Sequence, residues 1–476
     1  MKRACLLFFT ILFMGRALAQ NCDCEKELDF VRSYMERNHP GLNSGTKKTT
    51  AYKNGLAAIR KEIRLKKPGA DCNLYLEDYI SLLKDHHAFI RTVIPRVNIP
   101  DRNSTTAMDS FFHSAAFLSS PKRSIDTTEL KNHLQNKNEG IEGLYWDGGG
   151  NLIAIVKEPA EDWAYKGIMI RTANSLFPVG SVRYEFKERP GGKLWASVLL
   201  PDHQNRVYAS VLVTKKGIPG IGLKRMNESA ATSGKPYEFR MLNDSTAYVR
   251  VSSFDGELYS ELQSFYASIE NNLRSTAFLI IDIRDNSGGS EMNYQFFKNL
   301  MVSGPVKYGR SEIWVSPDNI KRYEENLEFQ KKNADKFSAE SIERTEKLIA
   351  MMKVAKQFSF LKYGEATTVV PDTILALPKK IALLMNRNCA SSAEGFIAFA
   401  QQSSKVITMG ENSGGYVGYG DVLPVKTPCY GYTLGNTILR FNQYYKYEFT
   451  GIPPQKRLDT ESDWLLKAQD ILSKNH

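Results

Sequence analysis

Histidine is scarce in this 476-residue chain: seven occur, at positions 39, 86, 87, 113, 133, 203 and 476. None sits in a His-Glu-x-x-His spacing, which removes the commonest helical zinc-hydrolase arrangement. After the first twenty residues no apolar run is long enough to span a bilayer. There is no internal repeat and no low-complexity tract, which sets aside solenoid arrays and disordered tails. No long basic block is present either. The formal net charge is +11, of which Lys2, Arg3 and Arg16 supply three, and the remaining Lys and Arg are interspersed with Asp and Glu. That pattern describes a solvated mixed surface and gives no nucleic-acid footprint.

What is present fits an ordinary globular protein of two or three domains, with 42% hydrophobic and 24% charged residues. The opening "MKRACLLFFTILFMGRALAQ" has a basic start, a short apolar run and a small-x-small ending at Ala17-Leu18-Ala19. This is the pattern of a cleaved signal peptide over residues 1–19, and it predicts a chain exported to the periplasm or the extracellular space. Of six cysteines Cys5 leaves with that segment, and Cys22, Cys24, Cys72, Cys389 and Cys429 remain. In an oxidising compartment the odd count predicts two disulfides and one free thiol. The expected pairs are Cys72 with Cys22 or Cys24, and Cys389 with Cys429. The spacings make no zinc site.

Periodicity divides the chain. Between 20 and 95, apolar residues recur at helical spacing, as in Leu28, Val31 and Met35, then Tyr52, Leu56, Ile59 and Ile63, then Leu76, Ile80 and Leu83. This predicts a helical domain, followed by a less regular linking region over 96–142. Short alternating runs such as "NLIAIV", "GIMIRT" and "VYASVLV", divided by Gly, Pro and Asn, predict a β-rich module over 143–240. From 241 to 476, buried strands alternate with helices: "TAYVRVSSF", "LYSELQSFYASIENNL", "AFLIIDIR", then "KIALLM", "SSAEGFIAFAQQ", "KVITMG". Such units cross over right-handedly into a parallel sheet. A charged helical insertion interrupts them between 306 and 365.

Two turns in this last region carry chemistry. "IALLMNRNCASSAEGF" runs from a strand through a small-residue corner into a helix, with Ser391 and Ser392 at the corner. Serine there serves as a helix N-cap, or as a nucleophile beside backbone donors that hold an oxyanion. "FLIIDIRDNSGGS" ends a strand in Gly288 and Gly289, which form either a plain turn or a place where backbone N–H groups approach a ligand. His86 and His87 stand in "LLKDHHAFIRT", where a helix gives way to a strand.

In order, "IIDIRDNSGG" and "ALLMNRNCASSAEGFIAFAQQSSKVITMGENSGG" resemble the core of the tail-specific, or C-terminal processing, serine peptidases and their tricorn-core relatives. The resemblance spans roughly 245 to 476. It implies an α/β fold with a crotonase/ClpP-like peptidase core, here joined to the helical domain and the β-rich module. It also implies that Ser391 is the nucleophile, with Gly288 or Gly289 and the N–H of Ser392 as oxyanion donors. The tail-specific branch draws its base from a lysine in the glycine-rich turn "GENSGGYVGYGD", where this chain has Tyr416. A phenol titrating near pH ~10 is a poor base at neutrality.

The tricorn-like branch takes a histidine from the helical region and a glutamate near the chain end. "LKDHHAFI" resembles that first motif, with His87 as base and His86 where the branch has serine. "YEFTGIPPQ" resembles the second, with Glu448 as orienting carboxylate and Gln455 in place of the usual aspartate. The reading is an exported serine endopeptidase acting on proteins or peptides through a Ser391 acyl-enzyme, with no metal or organic cofactor required. Two rivals stand beside it. One is a non-catalytic protein holding peptides or apolar ligands on a peptidase-derived scaffold. The other is a carbohydrate- or surface-associated structural protein, resting on the secretion signal and an aromatic content of 11%.

Overall fold

The computed structural model describes residues 22–474 apart from 44–48, 70, 92–99, 101–103, 138, 148–149, 173–175, 190–193, 202, 204, 216, 227–234, 335–336, 365 and 460–461. The signal-like segment therefore lies outside the described residues. No described helix is long and apolar enough to cross a membrane.

The continuous apolar runs of the C-terminal half become central strands because both of their faces are covered. Phe278–Asp282, Lys380–Met385 and Val406–Gly410 run parallel in one six-stranded sheet, between Thr246–Val251 on one side and Lys456–Arg457 on the other; Tyr237–Asn243 closes the edge antiparallel. Alternate side chains serve opposite cores, as the two-residue period of a strand requires. Leu279 and Ile281 pack with Leu262, Tyr266, Phe297 and Phe396 from the helices Tyr259–Ser275, Gln295–Met301 and Ser392–Ala400. Ile280 and Leu384 face Trp464, Ala468 and Leu472 of the final helix, Trp464–Lys474.

Within the stretch expected as a β-rich module over 143–240, Gly143–Trp146 through Leu223–Arg225 form an eight-stranded antiparallel sheet, and the boundary is corrected because Tyr237–Asn243 pairs in the core sheet. The stretch expected to link domains carries three helices, Thr105–Phe112, Ala115–Ser119 and Thr127–Leu134. Phe111 and Leu134 from these helices enter the module's cores, so the stretch is part of that module's packing. Helices of eight, five and eight residues are too short for a helical period to register.

The helical start, with helices Cys24–Asn38, Thr50–Lys66 and Cys72–Leu82, is bound to the C-terminal half at several points. Just after it, Phe89–Arg91 pairs antiparallel with Thr433–Phe441, with Ile90 opposite Leu434. That one pairing carries His86 and His87 across some three hundred positions of sequence. The carboxylate of Glu27 accepts from the N–H of Cys429 at 3.1 Å, the N–H of Tyr430 at 2.9 Å and the hydroxyl of Thr427. Arg37 and Asn38 reach Asp318 at the start of the inserted hairpin, Pro317–Lys332 with Ala339–Val354.

The disulfides are Cys22–Cys429 and Cys24–Cys72, and Cys389 is a buried free thiol. The expected Cys389–Cys429 pair is thus corrected. Cys389 is held inside the core, its Sγ 3.0 Å from the carbonyl oxygen of Ile283, while Cys429 lies beside the first helix.

Candidate active site

Ser391 ends the turn between the strand Lys380–Met385 and the helix Ser392–Ala400, at φ 55° and ψ −118°. A non-glycine residue at positive φ persists only where its surroundings hold it. Two clasps do so here. The side chains of Asn386 and Asn388 donate to Oδ1 of Asp285 at 2.9 and 2.8 Å, and the N–H of Ala390 donates to the carbonyl of Asn286 at 3.0 Å. These bonds bind the serine turn to the glycine turn. Burial raises the Asp285 carboxyl, but Lys224 and the two asparagine amides outweigh it and bring its pKa down to about 2.

Glutamate 394 supplies the second clasp. Its carboxylate accepts from the hydroxyl of Ser413 at 2.6 Å and from the N–H groups of Gly415 at 2.9 Å, Tyr416 at 2.6 Å and Ser391 at 3.1 Å. One buried side chain thereby fixes the serine and the glycine-rich turn together. Burial raises its pKa and the four donors oppose that rise. The sequence shows Glu394 only as the residue three after Ser391; its acceptor role depends on a turn some twenty residues away.

Both positions need glycine: Gly288 packs against the serine turn and Gly289 against Phe254. A Cβ on Gly288 would lie 2.5 Å from the carbonyl oxygen of Ala390 and 3.0 Å from Cβ of Ser391; one on Gly289, at φ 136°, would lie 2.1 Å from the carbonyl oxygen of Phe254. The N–H of Gly288 donates to Oδ1 of Asn286 at 2.9 Å. Among the described residues no hydrogen bond engages the N–H of Gly289 or of Ser392, and the Ser392 hydroxyl is buried without a partner.

On the facing side, His86 is sandwiched between Tyr416 and Phe449, with ring centroids 4.0 and 4.7 Å away and near-parallel planes. His87 meets the Tyr416 ring edge-on at 6.0 Å, and its Nδ1 is buried with no hydrogen-bond partner. Burial lowers its pKa, with nearby Asp85 acting the other way. Glu448 is 7% exposed and sits in a turn, not on a surface strand. It accepts from the N–H of Gly418 at 2.6 Å and from the N–H of His86 at 3.2 Å. No hydrogen bond joins His87 to Ser391 among the described residues. One link between the two halves of the site is Tyr416, whose ring contacts both histidines and whose N–H reaches Glu394.

Two further residues went unread in the sequence. Asp85 accepts from the N–H of His87 at 2.8 Å, from the hydroxyl of Thr437 at 2.7 Å and from Nε2 of His39 at 2.8 Å. His39 is fully buried, and its Nδ1 accepts from the N–H of Gly41 at 3.0 Å, so its proton lies on Nε2. The only local signal was an aspartate directly before the histidine pair. Gln455, where the resemblance has aspartate, exchanges bonds with Thr408: its Oε1 accepts from the Thr408 N–H and its own N–H donates to the Thr408 hydroxyl, both at 2.9 Å.

Residues 245–456 match the family model described as peptidase family S41. No curated protein matches the chain. Solved structures similar to it include mature CPAF, at 13% identity over 95% of this chain and 94% of that one with a TM-score of 0.48. The photosystem II D1 C-terminal processing protease matches at 12% identity over 95% and 98%, with a TM-score of 0.36. The tricorn protease matches at 10% identity over 95% of this chain and 37% of its own, with a TM-score of 0.37.

Proposed function

Starting from a serine-type peptidase whose residues 245–456 form a family S41 domain, we propose an exported endopeptidase that acylates Ser391 with His87 as general base. The observation that carries this reading is Ser391 itself. It is held at φ 55° at the N-cap of a helix and packed against Gly288, and the N–H groups of the neighbouring residues Gly289 and Ser392 are unengaged among the described residues. In the acylation step a His87 nitrogen takes the Ser391 proton as Oγ bonds to the substrate carbonyl carbon. The oxyanion is held by the two N–H groups and by the positive end of the helix dipole. The intermediate collapses, the C–N bond breaks, and His87 returns the proton to the leaving amine. Water then repeats the sequence on the acyl-enzyme.

Glu448 orients the histidine segment through the His86 N–H. Because His87 and Ser391 are not hydrogen-bonded at rest, substrate binding must bring them together, as is common for catalytic pairs in substrate-free enzymes. Export is supported by the signal-like opening and by two disulfides, which persist in oxidising compartments.

The direct test is hydrolysis of a quenched-fluorescent peptide library by the mature chain. Activity should disappear in Ser391→Ala and His87→Ala, and wild-type turnover in either variant overturns the assignment. The resting separation of His87 from Ser391, with Tyr416 in place of a lysine, favours a second reading, a peptide-binding protein on the same scaffold. Stoichiometric peptide capture without turnover would select it.

A further inference from the structure

One ligand-atom set in the site gathers around the histidine read as the base. A carboxylate oxygen of Asp85, a ring nitrogen of His87 and a carboxylate oxygen of Glu448 all lie within 4.8 Å of one another. Asp85 and Glu448 are 5% and 7% exposed, and Arg206 acts on His87 across space. Two carboxylates buried together at one imidazole create a strongly negative pocket that a divalent cation would neutralise.

We propose that Asp85, His87 and Glu448 form an inhibitory zinc site that withholds His87 from Ser391. This rests on the reading of His87 as the base. One imidazole and two carboxylates make a three-ligand set of the kind zinc takes with a water in the fourth position. An imidazole in the set favours a transition metal over magnesium or calcium, which prefer oxygen alone. The supporting bonds are already formed: Asp85 is held by His39, Thr437 and the His87 N–H, and Glu448 by the N–H groups of Gly418 and His86. Such outer partners orient ligands and raise affinity. Ligands about 2.0–2.2 Å from one ion stand roughly 3.3 Å apart, so any pair held wider than that draws inward on binding. That movement fixes His87 on its carboxylates, and a lone pair given to zinc cannot take a proton. His86 has no part in it, since its ring is stacked between Tyr416 and Phe449.

The test uses the untagged mature chain, stripped with EDTA and titrated with zinc chloride against a chromophoric chelator. Fluorophosphonate labelling of Ser391 is followed in parallel. The expected result is one zinc per chain, affinity reduced at least ~10-fold in both His87→Gln and Glu448→Gln, and labelling that zinc slows and EDTA restores. Circular dichroism confirms that the variants are folded. The proposal is overturned by no stoichiometric zinc, by unchanged affinity in both folded variants, or by bound zinc that leaves labelling unaffected. If the stripped wild type shows no labelling, the peptidase reading falls; the inhibitory role falls with it, and the binding arm alone decides whether the metal site exists.

Discussion

The N–H of Tyr416 donates to Oε2 of Glu394 at 2.6 Å. The residue standing where a lysine base would be is thus pinned by its main chain to the helix that Ser391 opens. Its ring meanwhile contacts both His86 and His87. Tyr416 thus joins the nucleophile's helix to the histidine segment, and its chemistry can be separated from its position.

Tyr416→Phe keeps the ring and the N–H and removes only the hydroxyl, whose pKa burial raises further from neutrality. Serine labelling should stay within about twofold of wild type. Tyr416→Ala removes the stack on His86, with an expected loss of about 0.5–1.5 kcal/mol beyond the buried area and a marked fall in labelling. Equal loss in both variants would mean that the hydroxyl itself acts.

Glu394→Gln places an NH2 group where four donors converge. At least one donor is left facing another, and hydrogen bonds to a charged acceptor are replaced by weaker ones. Unfolding in denaturant should show a loss of about 2–3 kcal/mol, and labelling of Ser391 should fall with it. A wild-type midpoint would contradict the role assigned to this carboxylate.

Asp285 has a folded pKa of about 2 against an ordinary 3.8. The stability it contributes is therefore fully present above about pH 4 and is lost as the pH falls through 2. Its partner Lys224 is half-exposed, so solvent screening brings the contribution to about 1–2 kcal/mol. Asp285→Asn should flatten the stability slope between pH 4 and 2, measured by thermal unfolding across that range; an unchanged slope would place the acid sensitivity elsewhere.

Thiol counting checks the corrected pairing. The mature chain should show two disulfides and one thiol that reacts only after unfolding, because Cys389 is fully buried. Cys22→Ser with Cys429→Ser should cost about 2–4 kcal/mol, since that bond ties the first helix to the C-terminal half. A Cys389 that reacts in the native state would contradict the packing described.

The elements that carried strong local patterns were legible in the sequence. Continuous apolar runs such as 278–282 and 380–385 marked buried strands, and the corner at Ser391 was visible in its small residues. The short helices between 105 and 134 were missed for a local reason, and the illegible parts of the site depend on long-range register. Asp85 meets His39 across 46 positions, and Glu394 finds its donors in the turn at 413–416. The pairing of Cys22 with Cys429 depends on where the first helix docks. A one-dimensional pattern records which face of an element is apolar, but not which polar groups meet when those faces pack.

The most direct measurement is the pH dependence of fluorophosphonate labelling, followed by intact mass and peptide mapping. A single adduct on Ser391 is expected, with a labelling rate that rises with pH to a plateau whose midpoint lies below the ordinary imidazole value, because burial lowers the His87 pKa. The adduct should be absent in Ser391→Ala, and the rate at least ~100-fold slower in His87→Ala. A folded chain that takes no adduct, or a His87→Ala variant that labels at the wild-type rate, would contradict the central claim.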